Sequence, residues 1–252
     1  MKLQALLNLL EPFAPLSLAM DWDNVGLMVG DRDWEVNKAL VALDAGEAAV
    51  ELAIREGCDL ILSHHPLIFR PLKQLTDPLL IRLVSHHIAV ISLHTNLDVA
   101  DTGVNHVLAS RLQLSVQGVL EQETGLGLIG SLAQPLSLSE LAEHTKQRLQ
   151  CPSLRLWTAG RDLSTKVQTI AICGGSGGSL INLAGQQAEV FITGDISYHS
   201  YLSSSIPLID AGHFFTEYPV LERLSQVLSD HGIPHLAMPE AMHEYPRYLQ
   251  VL

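Results

Sequence analysis

Leu60-Ile61-Leu62-Ser63-His64-His65-Pro66 is the stretch on which the reading of this chain turns. Three consecutive apolar residues read as a strand buried on both faces, the kind that parallel sheets contain. Pro66 ends the pairing, because it has no N–H to give to a ladder and biases its predecessor toward extended backbone. His64 and His65 therefore stand at the end of a strand. Adjacent strand residues point to opposite faces, but where the chain bends both imidazoles can turn toward one pocket. A His-His pair alone is more often a surface or hydrogen-bonded pair than a pair of ligands. The rest of the chain changes that balance.

Upstream, Lys38–Leu43 reads as a strand, Asp44 as an N-cap, Glu47–Arg55 as a helix and Gly57 as its C-cap. Downstream, a helix over 78–87 leads to a strand over 88–93 and then to His94-Thr95-Asn96-Leu97-Asp98. His86 and His87 lie at that helix's polar end, where cations suit the dipole, and are read as structural. A helix follows over 101–112. From Val167 the pattern returns: a strand over 169–173, a Gly174–Gly178 turn, a helix over 179–184, and a strand over 190–193 ending at Gly194-Asp195. An offset of 130 residues (195 − 65) lays 40–43 on 170–173, 60–63 on 190–193 and His65 on Asp195. The strand at 207–210 then leads to Gly212-His213-Phe214-Phe215-Thr216-Glu217, as 90–93 leads to His94 and Asp98, at an offset of 119 (213 − 94). No residue in the 40–65 window matches its counterpart, so the duplication is one of pattern.

The expectation is an internally duplicated α/β/α fold with mostly parallel or mixed sheets. Residues 1–112 with 206–252 form a first α/β domain carrying most of the candidate ligands, and residues 113–205 a related second one. An amphipathic helix opens the chain over 3–11. The middle, 113–166, is the least informative part, with a strand near 125–130 and a helix over 139–149. A helix over 220–228 and an edge strand over 233–237 close the pattern.

Composition narrows the function classes. Hydrophobic residues at 47% and charged residues at 17% describe a globular chain of 252 residues, not a disordered one. A formal charge of −12 argues against nucleic-acid binding, which needs a basic stripe. Cys58, Cys151 and Cys173 form no Cys-x-x-Cys and suit reduced thiols of a cytoplasmic protein. Leu3, Leu6, Leu7, Leu10 and Phe13 fall at helical spacing, which fits an amphipathic helix better than an export signal. No apolar run reaches about 18 residues, so no membrane span is expected.

In parallel α/β sheets, functional groups gather past the carboxyl ends of strands. His64, His65, His94, Asp98, Asp195, His213 and Glu217 all lie there. Imidazole and carboxylate without thiolate suit zinc, manganese or iron. The set exceeds what one tetrahedral ion needs; a carboxylate such as Glu217 can bridge two ions, and metals paired at roughly 3.5–4 Å are a hydrolytic device. Each residue has a structural alternative. His94 can cap its loop, Asp98 can be an N-cap, and His213 with Glu217 can be one helical turn. Jointly, at four equivalent strand ends, a site for two divalent ions per subunit explains them better. His94, Asp195 and His199 then stand beside the metals as proton-transfer groups. The Gly174–Gly178 turn reads equally as a tight connection or an anion seat. Asp21–Asn24 reads as loop and turn chemistry.

Asp23-Asn24-Val25-Gly26-Leu27, Ser63-His64-His65-Pro66, His94-Thr95-Asn96-Leu97-Asp98, Cys173-Gly174-Gly175-Ser176-Gly177, Thr193-Gly194-Asp195 and Gly212-His213 with Glu217 together resemble the GTP cyclohydrolase 1 type 2 family, also called Nif-three-like. The resemblance covers nearly the whole chain. It implies a duplicated α/β fold, a dinuclear metal centre with His64, His65, Asp98, His213 and Glu217 as its ligands, and a homohexameric toroid with the metals facing its cavity. Some relatives insert a whole domain mid-chain, for which 113–166 is too short. The family name implies hydrolytic opening of the guanine ring of GTP, with metal-bound hydroxide attacking C8. Nothing in this sequence reads guanine, so the expected substrate is a nucleotide or related small molecule. The alternative is a metal-binding regulatory or scaffold protein that does no chemistry.

Overall fold

The computed structural model of the protein describes residues 1–249. In chain order its elements are α1 (Leu3–Leu10), β1 (Gly26–Val29), β2 (Ala39–Ala42), α2 (Glu47–Glu56), β3 (Leu60–Ser63), α3 (Pro78–Ser85), β4 (Ala89–Ser92), α4 (Thr95–Val99) and α5 (Val104–Arg111). They continue with β5 (Ser115–Val119), β6 (Leu128–Ser137), α6 (Leu138–Leu149), β7 (Arg155–Trp157), β8 (Lys166–Ser176), α7 (Ile181–Gln187), β9 (Val190–Gly194) and α8 (Tyr198–Ser203). The last are β10 (Leu208–Asp210), α9 (His213–Glu217), α10 (Val220–Asp230), β11 (His235–Ala237) and α11 (Glu244–Tyr248).

Two compact units result, one of residues 1–100 and 221–249, the other of residues 101–220. Each holds its own mixed sheet. The strand order is β1-β4-β3-β2-β11 in the first and β5-β6-β8-β9-β10-β7 in the second. In the first, β2, β3, β4 and β11 run parallel and β1 lies antiparallel to β4. In the second, β8, β9 and β10 are parallel, while β6 and β7 lie antiparallel to β8 and β10. The repeat seen as a residue offset is thus a repeat of topology. β2-β3-β4 and β8-β9-β10 follow one another in the same order, and each third strand carries an antiparallel neighbour.

The quoted stretch behaves as its composition requires. Leu60, Ile61 and Leu62 are wholly buried in β3, between β2 and β4. Parallel neighbours need a crossover, and α2 supplies it. Its apolar face (Ala49, Val50, Leu52, Ala53) packs into the first core with Leu40, Ile61 and Val90. Gly57 ends α2 in the left-handed conformation at φ +66°, which costs glycine nothing. The N-cap of α2 is Gly46, not Asp44.

The units divide at 100/101 and 220/221, against expected breaks at 112/113 and 205/206. Hydrogen bonding explains the difference: β10 pairs with β9 and β7, and Asn105 on α5 accepts from Gly174 N at 2.9 Å. The Gly174–Gly178 turn also begins inside a strand, since β8 runs on to Ser176. The six-stranded sheet's outer members β5 and β7 and the short helices α4 and α8 lie outside the sequence expectations. Among the described residues no helix is long and apolar enough to cross a membrane.

Candidate metal centre

In the first unit the bend after β3 is fixed by Ser63, whose hydroxyl donates to His65 O and shares a hydrogen bond with Ser92 Oγ, both at 2.9 Å. His64 N and His65 N both donate to Leu43 O, at 3.2 and 2.9 Å. The strand alternation breaks there, and the two rings converge to 4.9 Å between centroids. His94, at the end of β4, places its ring 5.3 Å from His64 and 5.8 Å from His65. One ligand nitrogen from each of the three lies within 4.8 Å of the others.

Each ring is held by its Nδ1. His64 Nδ1 faces Leu93 O at 2.8 Å, His65 Nδ1 faces Asp44 Oδ1 at 2.7 Å, and His94 Nδ1 faces Asp23 Oδ1 at 2.9 Å. A carbonyl or carboxylate only accepts, so each Nδ1 carries the proton and each Nε2 keeps its lone pair. That tautomer is the one a metal-ligating imidazole needs. Asp98 lies within α4 and is no N-cap; its Oδ1 faces His64 Nε2 at 3.7 Å with the His64 ring wholly buried. The gap is too long for a hydrogen bond and suits a cation bound by both.

Asp23 is the carboxylate read as turn chemistry. Its side chain is wholly buried, and it accepts from His94 Nδ1, from Thr95 N at 3.0 Å and from Thr95 Oγ1 at 2.5 Å. Burial alone would raise its pKa, but the bonds from Thr95 and His94 hold the carboxyl below the usual range. Burial, with the His64 ring nearby, draws the His94 imidazole below its ordinary value against the pull of Asp23.

The second unit builds a matching group on α9. Its His213 Nδ1 faces Asp195 Oδ2 at 2.7 Å and its Nε2 faces Glu217 Oε2 at 3.0 Å. The one-turn contact between His213 and Glu217 is therefore present, and Glu217 is 5% exposed. Asp195, just past β9 at φ +54°, orients an imidazole. His199 is exposed on α8 with its ring against Tyr198. The glycines are explained by space. A Cβ on Gly175 (φ +64°) would run into the Glu217 carboxylate and lie 3.3 Å from His213 Nε2. The backbone N–H groups of Gly174, Gly175 and Gly177 donate to Asn105, Thr216 and Thr193, each at 2.9 Å. With those donors engaged, the stretch is a close approach, not an anion seat.

The structure thus groups His64, His65, His94 and Asp98 in the first unit, and His213, Glu217 and Asp195 in the second. Sequence reading missed Asp23 and Asp44 as the groups that hold imidazoles. The available signal was that Asp44 stands two residues past the end of β2, much as Asp195 stands just past β9. Nitrogen and oxygen donors without thiolate fit a first-row dication.

Comparison with known proteins gives the chain its relatives. A protein of Lactococcus lactis named GTP cyclohydrolase 1 type 2 homolog is 42% identical over 213 residues, covering 81% of this chain and 82% of that one. A protein of the same name from Clostridium acetobutylicum is 37% identical over 243 residues, covering 90% of each. The crystal structure of a hypothetical protein of Staphylococcus aureus matches with a TM-score of 0.89 at 30% identity, over 100% of this chain and 99% of that one. The sequence pattern of the family described as Duf34/NIF3 (NGG1p interacting factor 3) matches residues 1–240, and the chain belongs to that family.

Proposed function

We propose that this protein is a metal-dependent hydrolase acting on a nucleotide or related small molecule. Two divalent ions per subunit, zinc, manganese or iron, would be held by His64, His65, Asp98, His213 and Glu217. The observation that carries the reading is the common tautomer. His64 and His65 each give the Nδ1 proton to a carbonyl or carboxylate and so offer Nε2 as a donor; His213 Nδ1 likewise faces Asp195, and its Nε2 lies 3.0 Å from Glu217 Oε2, where a shared cation would take the place of a proton. When bound, paired dications lower the pKa of a water toward roughly 7 and stabilise charge on the reacting oxygens.

The protein's own residues do the rest. Asp44 and Asp195 keep His65 and His213 in the ligating tautomer and limit ring rotation. Asp23 holds His94 so that its Nε2 can accept a proton and pass it on. His199, exposed beside Tyr198, is the weaker proton-transfer candidate. The names of the curated relatives favour a guanine nucleotide as substrate. The resemblance favours a homohexameric ring. Three buried cysteines suit the cytoplasm.

Elemental analysis of the purified protein, with turnover measured across a nucleotide panel including GTP after loading with manganese, iron or zinc, tests the reading. About two ions per chain and metal-dependent hydrolysis are expected. Metal at background level would overturn it, and bound metal without turnover would favour a non-catalytic metal-binding regulatory or scaffold role.

A further inference from the structure

We infer that Trp22 and Phe69 form a seat for a planar aromatic ring at the edge of the first unit's histidine cluster, and that the molecule seated there is an anion. This rests on the proposed hydrolase reading only in making that molecule its substrate; the seat stands on its own geometry. Trp22 is 62% and Phe69 48% exposed, although both carry large apolar faces that normally find cover. Their rings come from separate loops, yet lie 5.9 Å apart at a tilt of 53°. Trp22 also meets the His94 ring edge-on at 6.3 Å. The exposed aromatic pair is therefore continuous with the three imidazoles.

The rings stand on fixed backbone. On one side of Trp22, Asp23 is anchored by His94 and Thr95; on the other, Met20 N donates to Thr95 Oγ1 at 3.0 Å. Asn24 Nδ2 donates to Ile68 O at 2.5 Å, which ties the Trp22 loop to the residue preceding Phe69. A seat held in this way loses little entropy when it is filled. Stacking on an aromatic face is open to any flat heterocycle.

Charge identifies the rest of the occupant. Phe69 is followed by Arg70-Pro71-Leu72-Lys73, a basic segment in a chain of net charge −12. Arg70 and Lys73 are both exposed. A ring stacked on Trp22 and Phe69 would carry its anionic group toward this segment and leave its edge toward His94. A phosphorylated heterocycle meets both requirements, whereas a sugar phosphate without a ring meets only the second.

Titration calorimetry of the metal-loaded full chain with guanosine and adenosine 5′-monophosphate tests this, with ribose 5-phosphate as the ring-free probe. The nucleotides should bind at least tenfold more tightly than ribose 5-phosphate. Trp22→Ala and Phe69→Ala should each weaken nucleotide binding by roughly tenfold while metal content stays at the parent level. Equal binding by ribose 5-phosphate, no nucleotide binding, or variants that bind like the parent would overturn the inference. So would a loss of assembly mass by light scattering in Trp22→Ala with nucleotide affinity unchanged, since the rings would then belong to an interface between copies. Repeating the titration on chelated protein separates the two readings. Ring binding that survives chelation keeps the seat, and it does so even where elemental analysis of the purified protein finds metal only at background level and removes the hydrolase.

Discussion

Asp23 shows how much can hang on one carboxylate. It is wholly buried and takes hydrogen bonds from the His94 ring, the Thr95 amide and the Thr95 hydroxyl. Asp23→Ala would strand those donors in a dry site, and a loss of about 2–4 kcal/mol in urea denaturation is expected. The sequence showed the aspartate but not its task, because its partner stands 71 residues away. No local period links a turn residue to a ring at that distance. Gly175 makes the opposite case, a residue that matters for what it lacks. Gly175→Ala would add a Cβ against Glu217 at a left-handed φ of +64°. A loss of about 1–3 kcal/mol is expected, together with a drop in bound metal measured on the folded variant, because Glu217 must move. A stable Gly175→Ala protein with full metal content would show that Glu217 is no ligand.

Among the elements, those that parallel pairing buries on both faces were readable, and those at the margin were not. β3 and β9 are continuous apolar runs buried along their whole length, and their ends located the candidate ligands. By contrast β5 is exposed at Ser115, Val116 and Gln117, and β7 is three residues long, so neither has an alternation to detect. The C-terminal segment before α11 was equally silent, yet it holds a titrating contact. His243 is buried, its Nδ1 facing Pro239 O and its Nε2 accepting from Leu43 N, each at 3.2 Å. The bond accepted from Leu43 N needs the neutral ring, and burial draws its pKa below the ordinary value against the pull of the Pro239 bond. Below about pH 6.5 the unfolded chain takes a proton that the folded one declines, so stability falls as pH drops from there toward the lower folded pKa. Above that range this group adds no slope. His243→Gln keeps an acceptor for Leu43 and a donor for Pro239 without the titration. Urea midpoints at pH 7.5 and 5.5 should therefore fall less in the variant, by at most about 1.4 kcal/mol per pH unit. Equal falls in both proteins would remove His243 as the cause.

At the scale of the whole molecule, the duplication was legible because a residue offset survives when side chains do not. The unit boundaries were not legible, because they depend on which strand β10 pairs with. The proposed ligands divide between the units, His64, His65 and Asp98 in residues 1–100 and His213 and Glu217 in residues 101–220. An ion that binds the folded chain and not the unfolded one stabilises it by mass action, about 2.7 kcal/mol at a hundredfold excess over Kd. For a chain of this length each kcal/mol moves Tm by about 2–4 °C. Calorimetry should then show a rise of about 5–10 °C between chelated and metal-replete protein. The pattern across variants carries more weight than the size of the rise. If His65 and Glu217 serve one centre, His65→Ala and Glu217→Gln should each erase most of the metal-dependent increment while leaving the chelated Tm near that of the parent. If only the variant in residues 1–100 erased it, the imidazole cluster of that unit would bind metal without α9. The ligand set would then contract to His64, His65, His94 and Asp98.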